Sequence, residues 1–488
     1  MKKTAYILIS VFSTAALLVA ACLLFFSMRK PYICVEDGLF ESLSNVNLLP
    51  ENAGFSVVSR SQFQSMSETL AGKTARLSAL IETERQFAFQ PFEIEEDAEK
   101  KAYLIEAKDW FPVISDNLER TSAGLQTVPP DLDVRFSTLD GIKSGERALT
   151  VGGSYAGDEN YQLKENIYAV CHFFDNAKAA EIDAWCVRVF SLKENAQKPV
   201  FVAAVGDIMV GRGVQEILLN EPDGLEQVFG STLPVLQKND ILIGNLEGAV
   251  TDSNANAIKT YTFKFNKKVL EPLKKCGFNY FMLTNNHCYD FGEQGFTDTL
   301  DALKEFGIAT SGAGRNLEEA EKFYHVEVNG QKFSIISCGA YPVENSGFNG
   351  KKQAAATESK AGILWQSDKL IEAVKAEKAA GYCVIVNVHG GEEYHFKPNV
   401  NQKSFYESLC AAGASAVFGS HPHVLQPSVW NGGSLIVYSL GNFVFNGMED
   451  MNGAEESEIV RLGIIGGKIV YCEHYPAKLD KTKVFLKQ

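Results

Sequence analysis

Two histidines stand close together near the end of the chain. His421 and His423 are separated only by Pro422, in the stretch GASAVFGSHPHVLQP (413–427), although the 488 residues include only eight histidines. A short turn stiffened by proline would point two imidazoles in different directions from one strand end. Imidazole binds zinc and iron well, whereas carboxylates suit manganese. The pair therefore predicts metal ligands, with a turn that carries incidental histidines as the plainer alternative.

Four other apolar runs end in side chains that can bind a cation or transfer a proton. These side chains are Asp207, Glu247, Asn286 together with His287, and His389. Such a mixture suits one or two divalent ions (manganese, zinc or iron), and Glu247 could bridge two ions about 3.5–4 Å apart. We predict that His287 acts as an acid oriented by Asp290 rather than as a ligand. The plainer alternatives are that Asp207 caps a helix and that Glu247 is an exposed loop residue.

The elements that must position these side chains form an alternating pattern of strands and helices. Continuous apolar runs, typical of strands buried on both faces, occur at 200–210, 240–250, 278–287, 382–394, 414–423 and 434–445. Helical stretches are predicted at 266–276, 293–306, 367–380 and 401–412. This alternation predicts an α/β domain with a largely parallel sheet, whose ligands lie beyond the carboxyl ends of the strands. A final hairpin is predicted to turn at Gly466 and Gly467.

Together these segments resemble the CapA (PGA_cap) family, the capsule and poly-γ-glutamate synthesis family of bacterial surface proteins. The resemblance covers about residues 200–446 and lies in the ordered motifs Gly206-Asp207-Ile208-Met209, Asn245-Leu246-Glu247, Tyr261-Thr262-Phe263-Lys264, Asn285-Asn286-His287 with Asp290, His389-Gly390-Gly391-Glu392-Glu393-Tyr394, His421-Pro422-His423 and Tyr438-Ser439-Leu440-Gly441-Asn442-Phe443. The family is in turn similar to calcineurin-like metallophosphoesterases. The resemblance therefore implies a four-layer α/β/β/α sandwich.

The wider resemblance to metallophosphoesterases implies a role for each motif. It implies metal ligands at Asp207, Glu247, Asn286, His389, His421 and His423, with His287 as the catalytic histidine. Phosphoesterases open with Asp-x-His, but this chain has Met209 at the second position. A thioether is a poor ligand for a hard ion, so the number of ions and phosphatase activity are left open. The candidate substrate-binding residues are Lys264, Glu393, Tyr394 and Asn442.

The start of the sequence predicts a tethered protein outside the cytoplasm. Residues 1–30 contain an uncharged run from Thr4 to Met28 with basic residues at both ends. A run of this length is sufficient for a single membrane-spanning helix and exceeds the apolar region of a cleaved signal peptide. The alternative is a lipoprotein that is acylated at Cys22.

Two further domains follow the predicted anchor. Residues 31–198 are expected to form a smaller α/β domain of unknown role, which faintly resembles a lobe of periplasmic binding proteins and has helices at 92–109 and 177–192. A polar linker precedes the CapA-like domain, residues 199–488. The formal charge of −14 and the lack of a basic stripe argue against nucleic acid as a partner.

Three functions agree with these features. The first is an anchored protein that acts in the synthesis, export or anchoring of a capsular polymer. For this function the resemblance implies poly-γ-glutamate as the polymer and a membrane-bound synthesis complex as the partner. The second is an active metal-dependent hydrolase, either a phosphoesterase or a hydrolase of an anionic polymer. The third is a non-catalytic polymer-binding module that keeps a metal only for its structure.

Overall fold

The computed structural model describes most of the chain beyond its first residues. The described ranges are 30–51, 53–68, 76–87, 100–115, 120–121, 124–125, 134–174, 176–190 and 198–487. The predicted span from Thr4 to Met28 and the alternative acylation site Cys22 lie outside them. Within these ranges, none of the helices has both the length and the apolar character that a membrane crossing requires.

The first part of the chain contains short helices and longer strands. In chain order they are β1 (Tyr32–Val35), α1 (Asp37–Asn45), β2 (Ser56–Ser59), α2 (Arg60–Glu68), β3 (Leu77–Phe87), β4 (Lys100–Ser115), β5 (Arg120–Thr121), β6 (Gly124–Leu125), β7 (Arg135–Thr138), β8 (Glu146–Ala148), β9 (Lys164–Phe173) and α3 (Asn176–Phe190). A 3-10 turn at Leu139–Gly141 follows β7. The order β2–β1–β3–β9–β4 forms a mixed sheet.

The two helices that the sequence predicts in this part have different outcomes. The helix predicted at 177–192 is confirmed by α3, which places Ile182 and Trp185 on one buried face. The helix predicted at 92–109 is wrong where the structure describes it, because residues from Lys100 onward form β4. This segment pairs antiparallel with β9, and its Tyr103 and Ile105 pack against the apolar core, which outweighs the helical preference of the charged residues around them.

The second part of the chain contains the strands that carry the candidate site. They are β10 (Val200–Met209), β11 (Ile241–Leu246), β12 (Ala249–Val250), β13 (Lys264–Phe265), β14 (Tyr280–Met282), β15 (Ala313–Gly314), β16 (Tyr324–Val328), β17 (Gln331–Ala340), β18 (Gly362–Ile363), β19 (Cys383–Gly390), β20 (Ala414–Ser420), β21 (Ser428–Asn431), β22 (Ser434–Val437), β23 (Asn442–Phe445), β24 (Glu456–Ile465), β25 (Lys468–Asp480) and β26 (Lys483–Leu486).

Helices alternate with these strands. They are α4 (Val214–Asn220), α5 (Gly224–Phe229), α6 (Leu233–Leu236), α7 (Leu270–Lys275), α8 (Gly292–Phe306), α9 (Leu317–Ala320), α10 (Gly350–Gln353), α11 (Asp368–Ala379) and α12 (Val400–Ala412), with 3-10 turns at Gly230–Thr232 and Lys267–Val269. The four helices predicted from the sequence are thereby confirmed as α7, α8, α11 and α12. The capping box of α12 shows why it begins where it does, since Asn399 and Gln402 satisfy each other's backbone N–H groups.

Most of these strands form two large sheets rather than the single sheet that the strand pattern alone predicts, and β12 with β13 and β15 with β18 form two small two-stranded sheets. Sheet I has the order β14–β11–β10–β24–β25–β26, and β23 also pairs with β10; sheet II has the order β16–β17–β19–β20–β22–β21. In each sheet the central strands that carry site residues run parallel, and the last two long strands of sheet I, β24 and β25, form the predicted hairpin around Gly466 and Gly467.

Three apolar cores define the layers of this fold. One core joins sheet I to helices α4 to α8, a second lies between the two sheets, and a third joins sheet II to α11 and α12. The result is the α/β/β/α layering that the family resemblance implied. A strand buried between two such layers must be apolar on both faces, which explains the continuous runs in the sequence.

Residue contacts divide the chain into two compact units. The first contains Met1–Trp110 and Asn160–Ala196, and the second contains Phe111–Glu159 and Gln197–Gln488. The sequence placed the boundary at residue 198 and kept 111–159 in the first domain. In the structure that segment belongs to the second unit, where Arg147 donates to the carbonyl oxygen of Cys472 at 3.1 Å.

Candidate metal centre

The candidate site lies where strand ends from both sheets meet. Sheet I supplies side chains near the ends of β10 and β11, in the loop after β14 and at the start of β23, and sheet II supplies those at the ends of β19 and β20. The residues are Asp207, Asn245, Glu247, Asn286, His287, His389, His421, His423 and Asn442, all of them buried. Strand register accounts for part of this meeting, because Asp207 lies opposite both Asn245 and Asn442. Parallel strands place their carboxyl ends at one edge, where polar groups can converge.

Three of these residues already form a cluster with the geometry of a cation site. One ligand atom from each of Asp207, Glu247 and His389 lies within 4.8 Å of the others. Within the described residues, Glu247 Oε1 and both ring nitrogens of His421 are buried without a hydrogen-bond partner. Buried polar atoms without partners are costly, and a bound cation would satisfy them.

Asn245 connects the members of the cluster, a role that the sequence did not reveal. Its Nδ2 donates to Asp207 Oδ1 at 2.8 Å and to Glu247 Oε2 at 3.1 Å, and it lies 3.2 Å from His389 Nδ1. Its Oδ1 accepts a 2.9 Å hydrogen bond from Asn285. Its sequence signal was its place in the motif Asn245-Leu246-Glu247, which does not distinguish a connecting amide from an ordinary strand residue.

The side chains of Asn286 and His389 face each other across the two sheets. Asn286 Oδ1 lies 3.0 Å from His389 Nε2, and Asn286 Nδ2 donates to Glu344 Oε1 at 3.1 Å. Burial, followed by the neighbouring imidazoles, lowers the pKa of His389 well below its usual value. A neutral imidazole is the form that binds a metal ion.

His421 and His423 lie on a turn that holds the backbone of both in the left-handed region, with φ of 99° and 57°. Such conformations are uncommon outside glycine and occur where the surroundings compensate for the strain. His423 Nδ1 lies 2.9 Å from Asn442 Oδ1 and 3.2 Å from Asp207 Oδ2. Burial opposes protonation of His423, but Glu247 and Asp207 outweigh it and raise the pKa of His423 to about 10. The two carboxylates thus attract positive charge, as a cation site requires.

His287 and Asp290 form the pair that the sequence predicted. His287 Nδ1 lies 2.7 Å from Asp290 Oδ2, which also accepts the backbone N–H of Phe263 at 2.7 Å. An ionised carboxylate only accepts hydrogen bonds, so Nδ1 carries a proton and Nε2 is directed towards Glu247, 3.9 Å from its Oε1. Burial lowers the pKa of His287, although Asp290 opposes this. For His287 to act as the acid that the sequence predicts, a second proton must therefore bind at its Nε2.

Sequence reasoning missed the buried ion pairs behind this histidine. The ammonium group of Lys259 lies 2.7 Å from Asp290 Oδ1 and 2.9 Å from Glu344 Oε1, and its side chain is 0% exposed. It also donates to the backbone carbonyl of Asn286 at 2.8 Å. Lys259 and Glu344 lie on loops far apart in the sequence, outside any periodic pattern, so no sequence signal could have paired them.

Comparison with known proteins identifies the family of this chain. A family model for the bacterial capsule synthesis protein PGA_cap matches residues 201–447, about half of the chain. The chain belongs to the PGA_cap family. The match ends just after β23, so it contains every strand that supplies a residue to the candidate site.

Named relatives extend this membership. Over 246 residues the chain is 34% identical to the PGA biosynthesis protein CapA of Bacillus subtilis (strain 168), covering 50% of this chain and 62% of that protein. Over 268 residues it is 32% identical to the capsule biosynthesis protein CapA of Bacillus anthracis, covering 53% and 62%. A probable polyglutamine synthesis accessory protein of Mycobacterium tuberculosis is 27% identical, covering 58% and 86%. The chain therefore spans less than two thirds of the length of the two Bacillus relatives.

Solved structures show a more distant likeness. A hypothetical protein from Thermus thermophilus has a TM-score of 0.38 at 17% identity, covering 59% of this chain and 100% of that one. A structure described as a novel phosphatase from Mycoplasma pneumoniae has a TM-score of 0.39 at 15% identity, covering 58% and 95%. These scores are low, so the layered architecture rests on the sheets and cores of the chain itself.

This PGA_cap protein keeps Met209 out of the cluster. Met209 is fully buried, and its sulfur accepts a hydrogen bond from the N–H of Gly211 at 3.2 Å. Its thioether thus takes part in the local turn. Strand β10 therefore contributes no imidazole at the position where the Asp-x-His motif of phosphoesterases has a histidine.

Two of the four candidate substrate-binding residues line a cleft beside the cluster. A cleft of about 430 Å³ opens over Asn286, His287 and His421 and is lined by Glu393 and Tyr394 among others. The remaining two candidates do not line it.

The four candidates have different contacts: Tyr394 belongs to the cleft wall, whereas Asn442 and Lys264 form hydrogen bonds elsewhere. Tyr394 is 38% exposed, and burial of its ring raises its pKa to about 12. Asn442 lies beneath the site, where it orients His423 through Oδ1 and donates to the carbonyl oxygens of His423 and Ala454. The ammonium group of Lys264 is held instead by the Ser253 carbonyl and Asn254 Oδ1, at 2.9 and 2.8 Å.

Proposed function

We propose that this chain is a metal-dependent accessory protein for the synthesis of a capsular polymer, with poly-γ-glutamate as the polymer. Family membership and the printed functions of the relatives support the process. The layered fold with acids, an amide and imidazoles at the strand ends supports a domain of the calcineurin-like metallophosphatase type.

The observation that carries the proposal is the cluster of Asp207, Glu247 and His389. These donors fit a divalent ion, because their ligand atoms lie within 4.8 Å of one another and one Glu247 oxygen has no hydrogen-bond partner within the described residues. His421, whose ring nitrogens also lack partners there, would complete the set. Manganese, zinc and iron all accept this mixture of oxygen and nitrogen donors. When bound, such an ion supplies a Lewis acid that polarises a carbonyl or phosphoryl oxygen.

The remaining residues would bind and orient the polymer. His287 Nε2 faces the cluster, and Nδ1 is held by Asp290, so the ring can exchange a proton at one defined atom. Lys259 fixes Asp290 from the other side. Tyr394 and Glu393 form one wall of the cleft in which a chain segment would lie.

A second candidate is hydrolysis of the polymer or of a phosphoester, and the pairing of His287 with Asp290 favours it. In this case Nε2 takes a proton from the attacking water and returns it to the leaving nitrogen or oxygen. General acid–base catalysis of this kind contributes about 10²- to 10⁴-fold to the rate. Replacing His287 by Asn would then abolish turnover while metal content stays unchanged.

The place of action is part of the same proposal. The uncharged run from Thr4 to Met28 supports a tether in the cell membrane with the bulk of the chain outside the cytoplasm, and acylation at Cys22 is the alternative. The proposed partners are the membrane-bound subunits that synthesise or export the polymer. The first unit, with its own sheet and core, is available for such contacts.

Elemental analysis of the purified full chain, together with complementation, tests the proposal. We expect about one divalent ion per chain in the wild type and less than a tenth of that in Asp207→Ala. In a host strain without its own copy of the gene, the wild-type chain should restore surface polymer and Asp207→Ala should not. The matched control is Arg188→Gln, an exposed residue of α3. A wild type that holds no metal, or an Asp207→Ala variant that restores polymer fully, would refute the proposal.

A further inference from the structure

A second cleft lies next to the one that opens over the candidate metal centre. It has a volume of about 450 Å³ and is lined by Met209, Gly211, Arg212, Gln215, Thr260, Tyr261, Thr262, Phe263 and Lys264. Thr260 and Tyr261 also line the first cleft, so the two spaces adjoin along one segment of chain. We call this second space the Arg212 cleft.

Arg212 is held in place without neutralisation of its charge. Its backbone lies in the left-handed region at φ 50°, shortly after β10, the strand that carries Asp207. Its Nη1 donates to the carbonyl oxygens of Asn446 and Gly447 at 3.0 and 3.2 Å, and Asn446 Nδ2 returns a 2.7 Å hydrogen bond to its carbonyl oxygen. No carboxylate of the described residues forms an ion pair with it.

Aromatic rings further fix the guanidinium group. Its carbon lies 5.1 Å from the ring centre of Phe263, 5.7 Å from that of Tyr261 and 5.9 Å from that of Phe445. Stacking on ring faces leaves the edge of a guanidinium free to donate hydrogen bonds. Because Nη1 is occupied by two carbonyl oxygens, Nε and Nη2 are the donors that this oriented, exposed guanidinium group can offer to a ligand.

Lys264 supplies a second cation to the same cleft. Its ammonium group is bonded to neutral oxygens of Ser253 and Asn254 and lies 5.2 Å from the ring centre of Phe291. Like Arg212, it has no carboxylate partner in the part of the chain that the structure describes. On a chain with a formal charge of −14, a cleft lined by two cations that have no acidic partner among the described residues makes a local site that attracts anions.

The distances connect this cleft to the proposed chemistry. The ring of Phe263 packs 4.3 Å from that of His287 and 5.1 Å from the Arg212 guanidinium carbon, so one aromatic ring separates the two groups. The first cleft instead contains Glu392 and Glu393 in its wall. A negatively charged group of a substrate that reaches His287 would be repelled on that side and attracted towards Arg212.

We propose that the Arg212 cleft is a subsite that binds the free α-carboxylate of one repeat unit of a poly-γ-glutamate chain while a neighbouring repeat unit lies at the metal centre. This inference rests on the proposed function and adds where the polymer is recognised. A carboxylate is the better match than a phosphate, because a planar guanidinium fork pairs with a planar carboxylate through two parallel hydrogen bonds. Lys264 would add attraction without directional bonds.

Binding measurements on the full-length, manganese-loaded chain test the subsite. Titration calorimetry with a poly-γ-glutamate oligomer should show an affinity that falls as salt is added. We expect Arg212→Gln to weaken binding about 10- to 100-fold, in line with the loss of a charged hydrogen-bonded pair. Lys264→Gln should weaken it about threefold, as expected for an exposed charge, and the control Arg188→Gln should bind like the wild type.

Further variants and a competitor separate the outcomes. Arg212→Lys, which keeps the charge and loses the fork, should recover only part of the affinity. If Arg212→Gln does not fold, weaker binding by the folded Lys264→Gln variant supports the subsite and unchanged binding overturns it. Inorganic phosphate that displaces the oligomer at equal concentration would overturn the carboxylate assignment.

Metal content separates failure of the subsite from failure of the proposed function. If the wild type holds metal and the Arg212→Gln variant binds the oligomer as tightly as the wild type does, the subsite alone is overturned. A wild type without metal would refute the proposed function, whatever Arg212 does. Arg212 is not among the proposed ligands, so its variants should retain the metal content of the wild type.

Discussion

Two cationic side chains, those of Lys259 and Arg212, lie near the segment from Thr260 to Phe263, and their surroundings are opposite in kind. The side chain of Lys259 is 0% exposed and is bonded to two carboxylates, those of Asp290 and Glu344. Arg212 is exposed, and among the described residues its side chain donates to carbonyl oxygens and lies near aromatic rings, with no acidic partner. The contrast teaches that a buried cation with acidic partners holds a site together, whereas an exposed cation without them is available to a ligand.

The surroundings of the two cations differ in the same way. On the Lys259 side, polar groups are buried and connected through Asn245, Asn286 and Asp290 into one hydrogen-bonded network. On the Arg212 side, the cleft wall consists largely of exposed and half-buried residues around Tyr261. Substitutions on the first side should therefore change stability, and substitutions on the second should change only binding.

The largest effect should follow Lys259→Met. This change leaves the carboxylates of Asp290 and Glu344 buried without their cation, and breaking a buried pair in this way costs about 3–5 kcal/mol. Urea denaturation of the variant and of Lys351→Met, an exposed control on α10, measures the difference. A loss for Lys259→Met no larger than that of the control would show that the buried pairs do not hold the site together.

A smaller loss of stability should follow Gly206→Ala. A Cβ at this position would lie 1.9 Å from the backbone oxygen of Gly441, so β10 and the turn before β23 would have to move apart. Overpacking of this kind typically costs about 1–3 kcal/mol. Gly433→Ala is the control, since nothing lies within 4 Å of its added carbon. Thermal unfolding of both variants checks the prediction, and equal melting temperatures would contradict it.

Asn245→Ala should reduce both stability and metal retention. It removes the donor shared by Asp207 and Glu247 and leaves these buried oxygens with fewer hydrogen bonds, at a cost of about 1–3 kcal/mol. Metal content after dialysis against a mild chelator should fall faster than in Asn256→Ala, an exposed loop variant. Unchanged retention would mean that Asn245 does not organise the cluster.

The smallest effect on stability should follow Arg212→Met. An exposed cation with two carbonyl partners contributes less than about 1 kcal/mol, so the midpoint of urea denaturation should stay close to that of the wild type. A loss as large as that of Lys259→Met would remove the contrast between the two cations and with it the reason to assign Arg212 to a ligand.

The sequence allowed site residues to be predicted where a polar or ionisable side chain lies near the end of a strand. Asp207, His389 and His421 lie at the ends of continuous apolar runs, and a buried strand places the polar residue at its end on the edge of its sheet. The same runs did not reveal that they belong to two sheets, because a strand buried on both faces reads alike in either sheet. That division was available only from the family resemblance.

The residues that the sequence did not identify share a different property. Lys259 and Glu344 lie on loops and Arg212 lies on a turn, where spacing carries no periodic signal, and their roles depend on contacts with distant parts of the chain. The helix predicted at 92–109, which is wrong where the structure describes it, from Lys100 onward, has a related cause. Its charges suggested a solvated helical face, whereas pairing with β9 decided its conformation through contacts formed far along the chain.

Anomalous diffraction from crystals of the manganese-loaded chain tests the central claim most directly. We expect one strong peak at the manganese edge, about 2.0–2.4 Å from donor atoms of Asp207, Glu247 and His389, and no peak at that place in Asp207→Ala. A wild-type map with no peak among these three residues, or with the ion bound elsewhere, would contradict the account.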